Sequence, residues 1–287
     1  MKVAEVEKEL DHAKTQGPLR DIIIAPCPEA LIELMREVQS GDPDPAVIAR
    51  IAGSDVAMAA SLLRIANSPV FARSRPASTV SEAVAILGLA HSIGILAGFI
   101  TRKAMPVKSP LLEHFWETST RRASAMEYIA RQLYVVDAGT AQTCGLFCHI
   151  GMPVMMQGLK GYADTLATAM AEHDRSFTGI ENAAHRTDHA VVGALVAKTW
   201  LLPPNITLAI RLHHDLTCLQ DQRLPKEVRT LVAMALVAEH LVATHEGVPE
   251  QPEWEADGAH ALAYLNVTRG EVEMWQDQLQ PYFESSG

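Results

Sequence analysis

The chain lacks the features that mark secreted, membrane-spanning and nucleic-acid-binding proteins. Four cysteines in 287 residues, without a basic and apolar leader at the N-terminus, do not indicate a disulfide framework. No uncharged apolar run is long enough to cross a bilayer. The formal net charge of -10 at pH 7 would repel phosphate backbones, and no contiguous basic run longer than a pair such as Arg121-Arg122 offsets it. We therefore expect a cytoplasmic protein that binds neither membranes nor nucleic acid.

Two of the cysteines raise the alternative of a zinc site, because Cys144 and Cys148 lie one helical turn apart and close to His149. Zinc sites of this type usually have a second pair of ligands. Neither Cys27 nor Cys218 has a partner at ligand spacing. The pattern favours two small buried side chains on one helix face over a metal site.

Alternating strand patterns are also nearly absent, whereas an apolar period of about 3.6 residues runs through almost every segment. The chain is therefore predicted to be all-α. Proline and glycine clusters divide it into a first helix, an N-terminal helical lobe, a second helical lobe, and a C-terminal loop and helix, at residues 1–17, 18–107, 108–245 and 246–287. Each lobe presents apolar helix faces that it cannot cover alone, so the two lobes are expected to share a core.

Three local patterns carry more specific structural predictions. Ser109 followed by Pro110 predicts the N-cap and first turn of a long helix. Asn67, just before Ser68-Pro69, predicts a helix C-cap in the left-handed conformation, with a binding role as the alternative. The polar stretch 247–258 predicts a loop.

Several spaced motifs fall in the order typical of one bacterial family. The first lobe contains Leu-Arg-Ile-Ala-Asn-Ser at 63–68 and Ser-Glu-Ala-Val-Ala-Ile-Leu-Gly at 81–88, and the second contains Asp-His-Ala-Val-Val-Gly at 188–193. On these motifs residues 18–245 resemble the HDOD family, bacterial regulatory relatives of the HD metal-dependent phosphohydrolases. Val56 departs from the family's usual proline, and His185-Arg186 from its Phe-Gly. The family-motif positions are Asp55, Arg64, Asn67, Ser68, Gly88, Glu181 and Asp188.

The resemblance also locates the site at which HD enzymes hold metal. There, adjacent histidine and aspartate side chains in the string Leu-Leu-His-Asp-Ile-Gly bind the ions, and the corresponding pair here is His149-Ile150. A hydrocarbon side chain can neither ligate a cation nor offset its charge. Thr118 stands in another slot where those enzymes have histidine. The vestigial positions are Thr118, His149, Ile150, His189, His213, His214 and Glu239. The resemblance thus implies a degenerate HD scaffold without catalysis, bound metal or cofactor.

Three functions remain open on these residues. The first, which the resemblance favours, is a non-catalytic signal-transduction module that acts on an unidentified protein of a bacterial signalling pathway. The second is a phosphohydrolase with one metal, since three histidines can hold a zinc ion and leave a position for water. The third is a sensor that binds a nucleotide or small acid in the cleft between the lobes. Metal-dependent phosphodiesterase activity would select the second function, and ligand-induced stabilisation the third.

Overall fold

The computed structural model describes residues 3–16, 22–71, 75–106, 108–172, 175–248 and 251–285. Helices occupy most of these residues and no strand occurs among them, which confirms the all-α prediction. In chain order the helices are α1 (Val3–Gln16), α2 (Glu29–Gln39), α3 (Pro45–Gly53), α4 (Val56–Ala66), α5 (Val80–Leu87), α6 (Leu89–Ala104), α7 (Phe115–Leu133), α8 (Ala138–Phe147), α9 (Gly151–Gly158), α10 (Tyr162–Ala171), α11 (Phe177–His185), α12 (His189–Thr199), α13 (Pro204–Leu212), α14 (Lys226–His245), α15 (Pro252–Leu265) and α16 (Arg269–Ser285). The predicted helix stop at Gly17-Pro18 and Val107 at the predicted lobe boundary lie outside the described residues.

The N-terminal lobe is built from α2 to α6, and its helix starts follow from local sequence. Asp55 accepts a hydrogen bond from the backbone N–H of Ala57 and so caps α4. Thr79 and Glu82 form a capping box at the start of α5. Gly88 has a φ of 80°, a conformation that side chains disfavour, and it lets the chain pass directly from α5 into α6.

The second lobe packs on the first through α6. Within this lobe α7 pairs with α8, and α12, α13 and α14 pack against one another in turn, with α14 returning to α7. α6 contacts both α7 and α8. At this junction a side chain on Gly94 would overlap Gln142 of α8. One continuous apolar core extends from Val6 in α1 to Phe283 in α16, so the two lobes form a single packed body.

The long helix predicted to begin at Ser109 begins later. Pro110–Leu112 forms a separate 3-10 turn, and the Ser109 side chain makes no capping hydrogen bond. His114 has φ -94° and ψ 7°, which lies outside the α-helical region. The helical hydrogen-bond ladder therefore restarts at Phe115, the first residue of α7.

The loop predicted at 247–258 is wrong for its second half, which belongs to α15. Pro252 fits the first turn of a helix because no backbone N–H is needed there, and Glu253 is favoured by the positive end of the helix dipole. The buried residues of α15 begin with Gly258. Residues 252–257 of this helix contribute no buried side chain, so the predicted loop lacks the apolar period that indicates a helix.

Asn67 follows α4, but it is not left-handed as predicted, since its φ is -94° and its ψ 3°. Its side chain instead reaches Ala77. The amide Nδ2 donates to the Ala77 carbonyl oxygen at 3.0 Å, and Oδ1 accepts from the Ala77 N–H at 2.7 Å. This pair of hydrogen bonds ties the end of α4 to the segment that precedes α5.

No single helix in the described part of the chain is long and apolar enough to span a membrane. α5 and α6 pass such a test by length and composition only when taken together, and they are bent by 118° at their junction.

Candidate functional site: four histidines beside an apolar cavity

The turn at His149 brings two helices into close contact. α8 ends at Phe147, and α9 begins at Gly151 after three turn residues. A Cβ atom at Gly151 would lie 2.1 Å from the carbonyl oxygen of His189 at the start of α12, so only glycine fits. This close approach stacks the rings of His149 and His189, with centroids 4.9 Å apart and planes at 16°. The glycine of the His-Ile-Gly string thus places two histidines together.

Two further histidines reach the same place from the end of α13. Its last residue is Leu212, and His213 and His214 follow directly. One ring nitrogen from each of His149, His189, His213 and His214 lies within 4.8 Å of those from the others. Three of the rings belong to buried residues, and the His214 side chain is only 10% exposed. These four vestigial positions therefore form one cluster, which we call the histidine cluster.

Buried hydrogen-bond acceptors outside the histidine cluster orient the rings of His189 and His213 through their Nδ1 atoms. Asp188 caps α12 by accepting a backbone N–H from its first turn, which fixes where His189 begins the helix. His189 Nδ1 lies 2.7 Å from Glu181 Oε2, and neither side chain has exposed surface. His213 Nδ1 donates to the Ile210 carbonyl oxygen at 2.6 Å. A carbonyl oxygen only accepts, so Nε2 of neutral His213 carries a lone pair. That Nε2 is buried without a hydrogen-bond partner in the described structure.

Carboxylates nearer the surface hold the other two rings. His214 Nδ1 lies 2.8 Å from Glu253 Oε2, and His149 Nε2 lies 2.6 Å from Glu239 Oε1. On its other side His214 Nε2 is 2.9 Å from His189 Nε2. The nitrogens of His189 and His214 that are not bound to carboxylates therefore face each other inside the histidine cluster.

Burial and neighbouring charges set the protonation of the histidine cluster. Burial, followed by the positive charge of Arg122, lowers the pKa of His149 well below its usual value. Burial also lowers the pKa of His213, and the adjacent His214 adds to the effect. Burial acts in the same direction on His214, but the carboxylates of Glu253, Glu239 and Glu181 together outweigh burial and raise the pKa of His214 to about 9. With no metal bound, His214 is charged at neutral pH while His149 and His213 are neutral.

Of the three other vestigial positions, Glu239 contacts His149, whereas Ile150 and Thr118 take no part in the histidine cluster. Ile150 is fully buried, and its side chain lies toward α12 near Gly193. Thr118 on α7 donates its hydroxyl to Glu246 Oε1 at 2.8 Å. An isoleucine and a threonine engaged elsewhere offer no ligand for a cation.

Arg122 is a buried cation beside the histidine cluster that the motifs did not single out. It lies one turn after Thr118 on α7, is 7% exposed, and has its Nε 3.6 Å from Glu239 Oε1. The available signal was its position, because Arg122 shares a helix face with Met126 and Ile129, both fully buried. The sequence alone shows Arg122 only as one member of the basic pair Arg121-Arg122.

A cavity of about 450 Å³ opens beside the histidine cluster. His149 and His214 lie on its polar side, and Phe177 and Trp254 contribute aromatic walls. The Trp254 ring stacks on His240, with centroids 3.9 Å apart and planes at 5°. Because Trp254 lies on α15, in the stretch predicted to be a loop, the sequence did not place this wall or the carboxylate of Glu253.

The motif residues of the first lobe act within that lobe. Asp55 caps α4 and also pairs with Lys103 of α6 at 2.5 Å. Asn67 closes the connection to α5. Arg64 is exposed on α4, and the Ser68 hydroxyl is buried without a hydrogen-bond partner in the described residues. Asp55 and Asn67 thus support the fold of the first lobe, whereas Glu181 and Asp188 position the histidine cluster.

The chain belongs to the HDOD family, since the HDOD domain matches residues 24–216, more than half of its length. This finding confirms the resemblance read from the spaced motifs. A relative from Treponema pallidum (strain Nichols), described as an uncharacterized protein, is 24% identical over 250 residues, which cover 84% of this chain and 47% of the relative. The chain thus spans about half the length of this curated relative.

Solved structures share the fold. An HDOD domain protein with unknown function from Geobacter sulfurreducens is 21% identical with a TM-score of 0.70, covering 96% of this chain and 99% of its own. A candidate signal transduction protein from Marinobacter aquaeolei VT8 is 18% identical with a TM-score of 0.74, covering 99% and 64%. A candidate phosphohydrolase from Shewanella amazonensis SB2B is 20% identical with a TM-score of 0.72, covering 99% and 97%. At these identities the likeness establishes the fold alone.

Proposed function

We propose that this HDOD chain is a non-catalytic regulatory module of the cytoplasm that acts by binding a protein of a bacterial signalling pathway. The observation that carries the proposal is the fully buried Ile150 in the slot of the metal-bridging aspartate. HD-type hydrolysis uses a carboxylate between two cations to acidify water and to offset the phosphate charge. With Thr118 bonded to Glu246, the second ion also lacks its histidine.

The carboxylates near the histidine cluster do not replace that aspartate. Burial raises the pKa of Glu181, but electrostatic attraction to His189 and hydrogen bonds from His189 and the Tyr162 hydroxyl outweigh burial and lower this pKa. Glu181 is therefore ionised behind the ring. Glu239 accepts from His149 and faces Arg122. Both carboxylates orient histidine rings, which leaves neither of them free to bridge two ions.

The cavity beside the histidine cluster favours a small-ligand sensor as the second candidate function. Its volume of about 450 Å³ lies in the range of about 300–1,000 Å³ that is usual for small-molecule sites. The aromatic rings of Phe177 and Trp254 line this cavity together with His214. The cleft between the lobes, where the sequence predicted a ligand, holds a smaller cavity of about 170 Å³ near Phe71 and His91. We therefore assign ligand binding in this second candidate to the larger cavity.

Hydrolysis assays test the non-catalytic assignment. Purified protein, with Mn²⁺, Mg²⁺ or Zn²⁺ added in turn, is incubated with bis(p-nitrophenyl) phosphate and with cyclic dinucleotides. No turnover above the buffer rate is expected, because the bridging carboxylate is missing. Metal-dependent turnover that disappears in His189→Ala would instead identify a phosphohydrolase.

A thermal-shift screen with nucleotides and small acids separates the sensor from the protein-binding module. A ligand that binds only the folded state raises the melting temperature, and the effect grows with ligand concentration. A shift that Trp254→Ala abolishes would support the sensor. For the protein-binding module, neighbouring genes that encode a sensor kinase, a chemotaxis protein or a second-messenger enzyme would supply the partner to be tested in a direct binding assay.

A further inference from the structure

We propose that His149, His189, His213 and His214 bind one Zn²⁺ ion in a closed site that stabilises the scaffold. The sequence predicts no bound metal, because Ile150 replaces the bridging aspartate and Thr118 a histidine. The four imidazole nitrogens that the structure brings together supply enough ligands for a single ion without either group. The structural role of the ion rests on the proposed function, because a site without an open position supports regulation and not hydrolysis.

The nitrogens that face into the histidine cluster converge closely enough for one ion. Nε2 of His189 and Nε2 of His214 are 2.9 Å apart, and the buried Nε2 of His213 has no hydrogen-bond partner in the described residues. One nitrogen from each of the four rings falls within 4.8 Å of the others. In a tetrahedral site with Zn–N bonds of about 2.0–2.1 Å the nitrogens lie about 3.4 Å apart, so each ring would move inward by less than about 1 Å.

The contacts behind the rings are those that metal-binding histidines usually have. A ligating imidazole commonly donates its other N–H to a carboxylate or a backbone carbonyl, which fixes the tautomer and the ring orientation. His189, His213 and His214 each have Nδ1 bound to such an acceptor outside the histidine cluster. His149 has Nε2 bound to Glu239. All four rings are therefore oriented before any ion arrives.

The charges around the histidine cluster suit one divalent ion and not two. Three carboxylates contact the rings, those of Glu181, Glu239 and Glu253. Arg122 is the cation next to Glu239. Three negative charges and one positive charge leave two negative charges, which one Zn²⁺ ion would balance. A second ion would be left without compensation in a buried place.

The donor set points to zinc and to a structural role. Imidazole nitrogen suits Zn²⁺, whereas Mg²⁺ and Ca²⁺ prefer oxygen ligands. Four histidines complete a tetrahedron and leave no position for a reactive water, which is the arrangement of structural zinc sites. The ion would join the turn after α8 to the start of α12 and the end of α13, three elements that are distant in sequence.

Metal binding by the intact chain is the test. Chelator-treated protein is titrated with Zn²⁺, and bound metal and melting temperature are both measured. We expect one Zn²⁺ per chain and a higher melting temperature with zinc. His213→Ala should weaken zinc binding at least 100-fold. The matched control is His260→Ala, because the side chain of His260 on α15 is 70% exposed and lies outside the histidine cluster, and it should bind zinc like the unaltered chain.

A second variant and a second metal keep the result interpretable if His213→Ala fails to fold. Glu253 is 30% exposed, so Glu253→Gln should fold, and loss of this outer partner should weaken zinc binding about 10- to 100-fold. Co²⁺ in place of Zn²⁺ should give the visible absorption of a tetrahedral nitrogen site. A thiolate charge-transfer band would instead assign the ion to Cys144 and Cys148 and overturn the inference.

The outcomes separate this inference from the proposed function. Folded, unaltered protein that binds no zinc, or a folded His213→Ala variant that binds it equally well, would overturn the zinc site and leave the regulatory assignment standing. One bound ion accompanied by phosphodiester hydrolysis would overturn the regulatory assignment and keep the site. One bound ion without hydrolysis supports both.

Discussion

Gly151 shows how one residue controls whether the histidine cluster can form. A Cβ atom there would meet the backbone oxygen of His189 at 2.1 Å, and backbone cannot move aside as a flexible side chain can. We expect Gly151→Ala to lower the free energy of unfolding by about 3 kcal/mol or more, measured by urea denaturation. The matched control is Gly270→Ala in α16, where nothing lies within 4 Å and alanine favours the helix. Equal effects of the two changes would show that Gly151 does not serve close packing.

Ile150→Asp tests whether the slot of the missing aspartate accepts a charge. The side chain is fully buried, so the new carboxylate would lack a counter-ion, and we expect a loss of about 3 kcal/mol or more in the free energy of unfolding at neutral pH. Burial would raise the pKa of that carboxyl, so the loss should shrink as the pH falls and the group is protonated. Ile150→Val is the size control, with a loss of about 0.5–1.5 kcal/mol. Similar losses for both variants at neutral pH would mean that a cation already reaches this position.

Residues of the candidate site could be predicted when they belong to a sequence motif. They were missed when only the tertiary structure places them near the histidine cluster. His149 and His189 stand in strings that could be recognised without a structure. Arg122 enters the site through its helix face, and a buried arginine is not visible in a charge count. Glu253 could not be foreseen because the polar residues around it predict a loop, whereas they form the first turn of α15. Short-range patterns thus identified the histidine rings but not the charged side chains around them.

Asn67 acts on the connection between two helices of the first lobe. Its two hydrogen bonds to the backbone of Ala77 hold that connection, so we expect Asn67→Ala to lower the free energy of unfolding by about 1–2 kcal/mol in urea denaturation. Asn67→Asp keeps the acceptor for the Ala77 N–H but sets a carboxylate oxygen against the Ala77 carbonyl oxygen in place of the amide donor, so this variant should lose stability as well. If Asn67→Ala left stability unchanged while abolishing binding of an identified partner, the residue would be functional instead.

The stack of His240 on Trp254 joins α14 to α15 and makes stability depend on pH. Burial lowers the pKa of His240, and Arg269 adds to this while the hydrogen bond with Gln251 opposes it. The unfolded chain, with a histidine pKa of about 6.5, therefore takes up the proton first as the pH falls. The contribution of His240 to stability is complete above the unfolded pKa and is lost as the pH falls from that value through the folded pKa.

His240→Phe keeps a flat ring against Trp254 and removes the titrating group. We expect the variant to lose less of its free energy of unfolding than the unaltered chain between about pH 7 and about pH 5, as measured by urea denaturation at each pH. The other titrating groups are shared by both proteins, so the difference isolates His240. Identical pH profiles would show that the stacked ring does not titrate differently in the folded and unfolded states.

Helix α6 connects the two lobes of the molecule. It belongs to the first lobe in sequence and packs on α7 and α8 of the second lobe. The all-α class could be read from local patterns, since helical periods depend on neighbouring residues. How closely the two lobes pack could not be read in this way, because the contact involves residues far apart in the chain. A side chain on Gly94 of α6 would overlap Gln142 of α8. Sequence patterns therefore predict the helices of each lobe but not the side-chain contacts of the core that runs through both.

Separating the lobes should destabilise each of them. Fragments 1–107 and 108–287 would expose the faces that α6, α7 and α8 bury against each other. We expect each fragment to melt at a lower temperature than the intact chain or to aggregate, whereas the intact chain should unfold in a single transition by circular dichroism and calorimetry. Gly94→Leu supplies a check in the intact chain, because overlap with Gln142 should lower the melting temperature without splitting the transition. A fragment as stable as the intact protein, or two separate transitions in Gly94→Leu, would mean that the lobes fold as independent units and only touch.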